Sequence, residues 1–163
     1  MRNMFWCAVA LAAACSPAEQ QQAAAPAAPD TAATRVAIQS LFDDYARLAK
    51  AGDVAGLVNL YAANATMNEF GLPTLTGHAA IEAAYTGVFG LLKVGSLTIP
   101  VASAMAPAPG LASALGTYAE TVDSSGVLTN SWGRWVASFR QDSTGQWKIA
   151  FLMAFPDSVK AAQ

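Results

Sequence analysis

YARLAKAGDVAGLVNLYAANATMNEFGLPTLTGHAAIEAAY, residues 45–85, is the stretch whose reading decides the fold. It carries Tyr45 near the end of one helical pattern, a turn at Gly52-Asp53, Tyr61 in a second short pattern, and then Glu69 and Tyr85. Three phenols and one carboxylate set among apolar residues read as the polar lining of a pocket. Upstream, Thr31 to Ala51 has the helical period, with Val36, Ile38, Leu41, Phe42, Tyr45, Leu48 and Ala49 on one apolar stripe. Asp30 or Thr31 can cap its start and Gly52 its end. Asp53 caps a second helix with Leu57, Val58, Leu60 and Tyr61 as its apolar positions and Asn64 as its close. Ala65–Phe70 reads as a strand, Gly71-Leu72-Pro73 as a turn and Thr74–Thr76 as the hairpin partner. A third helix runs from His78 to about Phe89, with Gly90 beyond its end.

After Leu92 the period changes to two. Val94–Ala104, Leu111–Val122, Val127–Arg140 and Gln146–Phe155 are four strands, parted by Pro107-Ala108-Pro109-Gly110, Asp123-Ser124-Ser125-Gly126 and Asp142-Ser143-Thr144-Gly145. Short turns make the last three an antiparallel meander. Pro100 marks an edge or a bulge in the first. Helices followed by a curled antiparallel sheet make an α+β domain, in which a long sheet wrapped over three N-terminal helices leaves a cone with an open mouth.

Working outward to the N-terminus, Arg2 precedes an apolar run from Met4 to Ala14 that ends at Cys15. The run is too short for a bilayer core, which needs roughly 20 apolar residues, and has the order of a removable export signal. It resembles the signal of bacterial lipoproteins, whose terminal cysteine becomes the lipidated N-terminus. That resemblance implies a periplasmic protein anchored to the outer membrane through Cys15, since Ser16 rather than an aspartate follows. A soluble secreted or periplasmic protein cut nearby is the other reading. Segment 15–30 is rich in Ala, Pro and Gln, holds no aromatic residue, and reads as a disordered tether. The expected division is a signal peptide at 1–14, a lipidated cysteine and tether at 15–30, a domain at 31–157 and a tail at 158–163.

The two cysteines, Cys7 and Cys15, leave the domain without a thiol, so no disulfide, cysteine nucleophile or cysteine metal site is expected. Removal of Arg2 leaves eight basic against eleven acidic side chains, scattered along the chain, which argues against a nucleic-acid surface. The sole histidine, His78, excludes a histidine-pair metal site and reads as a surface residue at a helix start. No metal or cofactor is called for.

The order Tyr45, Gly52-Asp53, Leu57, Leu60-Tyr61, Ala65, Gly77-His78-Ala79-Ala80-Ile81 and Gly145-Gln146-Trp147-Lys148-Ile149 resembles the SnoaL-like branch of the nuclear transport factor 2-like superfamily. The resemblance implies a cystatin-like cone, commonly a homodimer through the open sheet face. The pocket spacing is similar to that of bacterial ketosteroid isomerases. Their oxyanion tyrosine, eight residues before the Gly-Asp aspartate, corresponds to Tyr45, and their general base, sixteen after it, to Glu69. Supporting tyrosines correspond to Tyr61 and Tyr85. The implied chemistry is proton transfer next to a carbonyl, with Glu69 as base and Tyr45 donating to the developing enolate. The family's second donor, a protonated aspartate, falls near Ala137, and the inward neighbours Trp135 and Phe139 are not acids; Trp135 is the remaining donor. Phe151, Met153 and Phe155 are expected to line the cone with Trp135. Read without the resemblance, the tyrosines are equally ordinary packed core and Glu69 a solvated carboxylate. Both faces of the last strand are apolar, which implies a partner copy over the outer one. The functional expectation is an envelope lipoprotein that binds a small apolar molecule, with isomerase-type proton transfer, or else a non-catalytic dimeric binding module.

Overall fold

The computed structural model describes residues 30–161. The signal peptide, Cys15 and most of the tether fall outside the described residues.

Helix α1 (Thr31–Ala51) opens with the Asp30 carboxylate accepting from the backbone N–H groups of Ala32 and Ala33, and closes on Gly52 in the left-handed conformation, φ 67°. Both caps satisfy groups a helix end would otherwise leave unpaired. The stripe Ile38, Leu41, Phe42, Tyr45, Leu48 and Ala49 is buried, whereas Val36, expected on it, is exposed. Asp53 caps α2 (Val54–Asn59) through Gly56 N–H. This helix ends earlier than its apolar pattern suggests. Tyr61 is the first residue of β1 (Tyr61–Glu69), not the last turn of a helix. The run Tyr61-Ala62, then Ala65 and Met67, is buried because β1 lies against the centre of the molecule. A two-residue β2 (Leu75–Thr76) pairs antiparallel with β1, and this hairpin separates α2 from α3 (His78–Leu91), in the order the sequence indicates. Helix α3 runs through Gly90 rather than stopping before it.

Five strands complete the sheet: β3 (Lys93–Thr98), β4 (Val101–Ala108), β5 (Leu111–Ser124), β6 (Val127–Gln141) and β7 (Trp147–Ala161). Pro100 divides the expected single strand in two. It sits between β3 and β4, which pair in succession with the same edge of β5, so the missing N–H interrupts an edge and costs no central ladder bond. The order across the sheet is β2-β1-β7-β6-β5-β3, with β4 also on β5. The meander β5-β6-β7 is antiparallel as read from its turns, and Ser125-Gly126, both with positive φ, make the two-residue connection between Ser124 and Val127. β1 joins β7 in parallel, so the sheet is mixed rather than wholly antiparallel. β7 extends to Ala161, past residue 157 where the domain was expected to end, and pairs there with Thr129. Among the described residues no helix is long and apolar enough to cross a membrane.

The long strands curl over α1. Phe42 packs on Trp135 with ring centroids 4.4 Å apart and meets Phe139 edge-on at 5.8 Å. Two inner-face glycines allow the curvature. A Cβ at Gly116 would stand 2.1 Å from the Pro100 carbonyl oxygen, and one at Gly133 would stand 2.2 Å from that of Phe155. Ile149, Phe139, Ile38 and Leu57 fill the closed end of the cone, and the other end stays open.

Candidate functional site

The open end holds a cavity of about 330 Å³ between α1 and the inner faces of β5, β6 and β7. A second lobe of about 210 Å³ extends toward α3. The two lobes share Tyr45, Glu69, Leu97, Glu120 and Val122, so these residues mark where they meet. α1 brings Tyr45 to this junction on its buried stripe. β1 delivers Glu69 as its last residue, just before the turn at Gly71-Leu72. Exposed Phe70 stands beside it in the lining.

The three expected tyrosines come together. Tyr85 Oη lies 2.6 Å from Tyr45 Oη and 2.7 Å from Tyr61 Oη, and Tyr85 lines the second lobe but not the larger one. Met67 Sδ lies 3.3 Å from Tyr61 Oη and 3.5 Å from Tyr85 Oη, an alternative acceptor for those two protons. Each phenol has one proton. When donation runs from Tyr61 to Tyr85 to Tyr45, the Tyr45 proton is left over for a group in the cavity, and each donation makes it a stronger donor. Burial, first of all, raises the pKa of all three phenols, and the charge of Glu69 adds to this at Tyr45. They therefore stay protonated at any ordinary pH.

Glu69 is half-buried by accessible surface yet enclosed by protein, because the surface it keeps faces the cavity. Desolvation, and then the negative charge of Glu120, push its carboxyl up to about 7. This places proton exchange at Glu69 in the neutral range, where a general acid or base works best.

Glu120 is the residue that sequence reasoning missed. It occupies the inward parity of β5 with Ala112, Ala114, Gly116 and Tyr118, lines both lobes, and accepts a hydrogen bond from Ser131 Oγ at 2.6 Å. The available signal was its period: an acid on the apolar face of an otherwise alternating strand. Position 137 holds a buried alanine, as the sequence reads, and Trp135 does line the cavity. Trp135 is not the spare donor, however, since its Nε1–H is committed to the Thr117 carbonyl at 3.0 Å.

Phe151, Met153 and Phe155 do not line the cone. Phe139 pairs with Ile149 but Ser138 pairs with Phe151, which leaves Ala150 as an extra residue in β7. This bulge resets the alternation: Ile149 faces inward before it, and Leu152, Ala154 and Pro156 line the cavity after it. Phe155 instead lies outside, with the Arg134 guanidinium 5.6 Å from its ring centroid. His78 Nε2 lies 2.9 Å from the Tyr61 carbonyl oxygen and is not in the cavity lining. Among the described residues no three His, Cys, Asp or Glu side chains are grouped so as to hold a metal ion.

The raised pKa of Glu69 makes stability depend on pH. Below pH 4.5 the carboxyl is protonated in folded and unfolded chains alike. Between there and about 7 the unfolded chain gives up the proton first, so stability falls as pH rises, by on the order of 3 kcal/mol in all. Urea unfolding across pH 4 to 8 is expected to show that decline in the wild type and a flatter profile in Glu69→Gln; equal slopes would contradict the burial of this charge.

The SnoaL-like domain profile matches residues 30–152. A search of curated proteins gives no match. Among solved structures, the chain is similar to a ketosteroid isomerase-like protein from Erwinia carotovora atroseptica, with a TM-score of 0.69 and 17% identity over 76% of this chain and 95% of that one. It is similar to a protein from Novosphingobium aromaticivorans assigned as a scytalone dehydratase, at TM-score 0.70 and 12% identity over 81% and 89%. It also resembles the hexachlorocyclohexane dehydrochlorinase LinA-type3 from Novosphingobium barchaimii, at 0.66 and 13% over 80% and 91%. At these identities the structural likeness is one of fold, the nuclear transport factor 2-like cone. The match over three quarters of the sequence goes further: the chain belongs to the SnoaL-like domain family, a small-molecule-binding fold.

Proposed function

We propose that the domain binds a small, largely apolar carbonyl compound in the cone and moves a proton next to its carbonyl group. The observation that carries this reading is the convergence of Glu69 and Tyr45 on one cavity junction. The Glu69 carboxylate takes a proton from the carbon beside the carbonyl, Tyr45 donates a hydrogen bond to the oxygen on which charge develops, and Glu69 returns the proton to another carbon. Tyr85 and Tyr61 hold the Tyr45 hydroxyl in place. Phe42, Trp135 and Leu152 keep water from competing for the donor. With its carboxyl near 7, Glu69 is anionic and able to act as base only as pH rises through neutrality, so the rate is expected to climb across that range.

Proton exchange in an unsaturated ketone, followed by deuterium incorporation, tests the chemistry. Tyr45→Phe is expected to slow exchange by about two to three orders of magnitude and Glu69→Gln by at least about two. Unchanged exchange in both variants would leave a binding module without catalysis.

The setting of the domain belongs to the same proposal: an envelope lipoprotein held at the outer membrane by Cys15, dimeric through the outer sheet face. The lipobox-like run before Cys15 supports the anchor. Support for the dimer is the exposed apolar surface at Leu115, Val136 and Phe155 on the outer face of β5, β6 and β7. Analysis of one detergent-solubilised sample checks both features. Sedimentation equilibrium is expected to give twice the chain mass, and mass spectrometry an acylated Cys15 as N-terminus; a monomer with an unmodified or differently cut terminus would contradict them.

A further inference from the structure

Both lobes of the cavity are lined by Glu69 and Glu120, and among the described residues neither lobe includes a lysine, an arginine or a histidine. Among the described residues the ion pairs are Arg47–Asp44, Arg134–Asp157 and Lys148–Asp142, all away from the cavity. Glu120 has the Ser131 hydroxyl as a donor. Glu69, enclosed by protein and facing the cavity, has no hydrogen-bond donor or cation among the described residues. Two acids sharing an apolar space without a counter-ion are costly to ionise together, and among the described residues no cation lines the space to offset the second charge. The arrangement lacks what its charge calls for, and an incoming molecule can bring it.

We propose that the cone selects a protonated organic amine, its ammonium group seated between Glu69 and Glu120 and its apolar body packed on Phe42, Tyr118 and Trp135. The chemistry of the lining favours this class over the others. An anion would meet two carboxylates, with only the hydroxyls of Tyr45, Tyr118 and Thr129 among the described residues to offset them. A neutral molecule would leave the charge of Glu69 without a counter-ion. A divalent metal ion takes about six oxygen ligands, whereas the junction offers two carboxyl groups with the Ser131 hydroxyl already donating to one of them. An ammonium group has three N–H donors and needs only two or three acceptors, and aromatic faces add to its attraction. Phe42, Tyr45, Phe70, Tyr118 and Trp135 supply those faces around the larger lobe. The inference rests on the reading of the cone as a ligand cavity and is independent of turnover; for the proposed proton transfer it adds that the carbonyl substrate carries a basic nitrogen.

Three probes with one apolar cage and different charge test it: 1-adamantylamine, 1-adamantanol and 1-adamantanecarboxylate, titrated into the full-length chain at pH 8 by isothermal calorimetry. The amine is expected to bind at least about tenfold more tightly than the alcohol, and the carboxylate least tightly. The amine-to-alcohol ratio is expected to fall toward one in Glu69→Gln and in Glu120→Gln. The wild-type series alone decides the matter should either variant fail to fold. Equal affinity for amine and alcohol, or preference for the carboxylate, overturns the charge selection while leaving the ligand cavity in place. Failure of all three to bind overturns both.

Discussion

The structure depends on the curl of one long sheet over one helix. β5, β6 and β7 are each about two and a half times the usual strand length, and a flat sheet of that size could not cover α1. The bend is possible because Gly116 and Gly133 place no side chain where neighbouring backbone crosses the inner face. It is held by Phe42 against Trp135 and Phe139, the contact through which the helix fills the closed end of the cone. Once that end is packed, the strands diverge and the remaining inner surface has no partner from α1. The cavity is the geometric remainder of this curl, and its lining is whatever the inward parity of each strand brings.

What the parity brings is two acids on an apolar wall. Burial is the larger reason that Glu69 holds its proton to about neutral pH, and the charge at Glu120 adds to it. The tyrosine network works in the opposite chemical sense. Tyr45, Tyr85 and Tyr61 are buried donors whose protons stay in place, and they are satisfied mainly by one another and by Met67. A proton acceptor of tunable charge and a permanent donor thus meet at one point between two lobes. That combination suits a ligand with a polar head and an apolar body.

Much of this was legible in the sequence, for local reasons. Asp30, Gly52 and Asp53 announce their caps, the stripe on α1 announces its buried face, and the spacing of Tyr45, Tyr61, Glu69 and Tyr85 matches a pocket because each is carried by an element whose length is set by such caps and turns. Other features depend on pairings between distant strands, which local pattern does not contain. Tyr61 looks helical beside Leu57 and Val58, yet the parallel partner β7 draws it into a strand. Alternation along Trp147–Phe155 is unbroken in sequence, so the extra residue at Ala150 shows only in its pairing with β6. Glu120 looks like any surface acid on a half-exposed strand until the sheet curls and turns its face inward. Recognition of Glu120 needed the inward parity of β5 to be fixed first by Ala112, Ala114 and Gly116.

The central claim is that a carboxyl group without a cationic partner is held inside the cone at Glu69, raised by its surroundings and by Glu120. Carbon-13 NMR titration of protein labelled at the side-chain carboxyl of its four glutamates, Glu19, Glu69, Glu82 and Glu120, tests this most directly. One resonance is expected to titrate at about 7, to vanish in Glu69→Gln and to move to lower pH in Glu120→Gln. Titration of all four carboxyls in the ordinary range near about 4.3 would contradict the account.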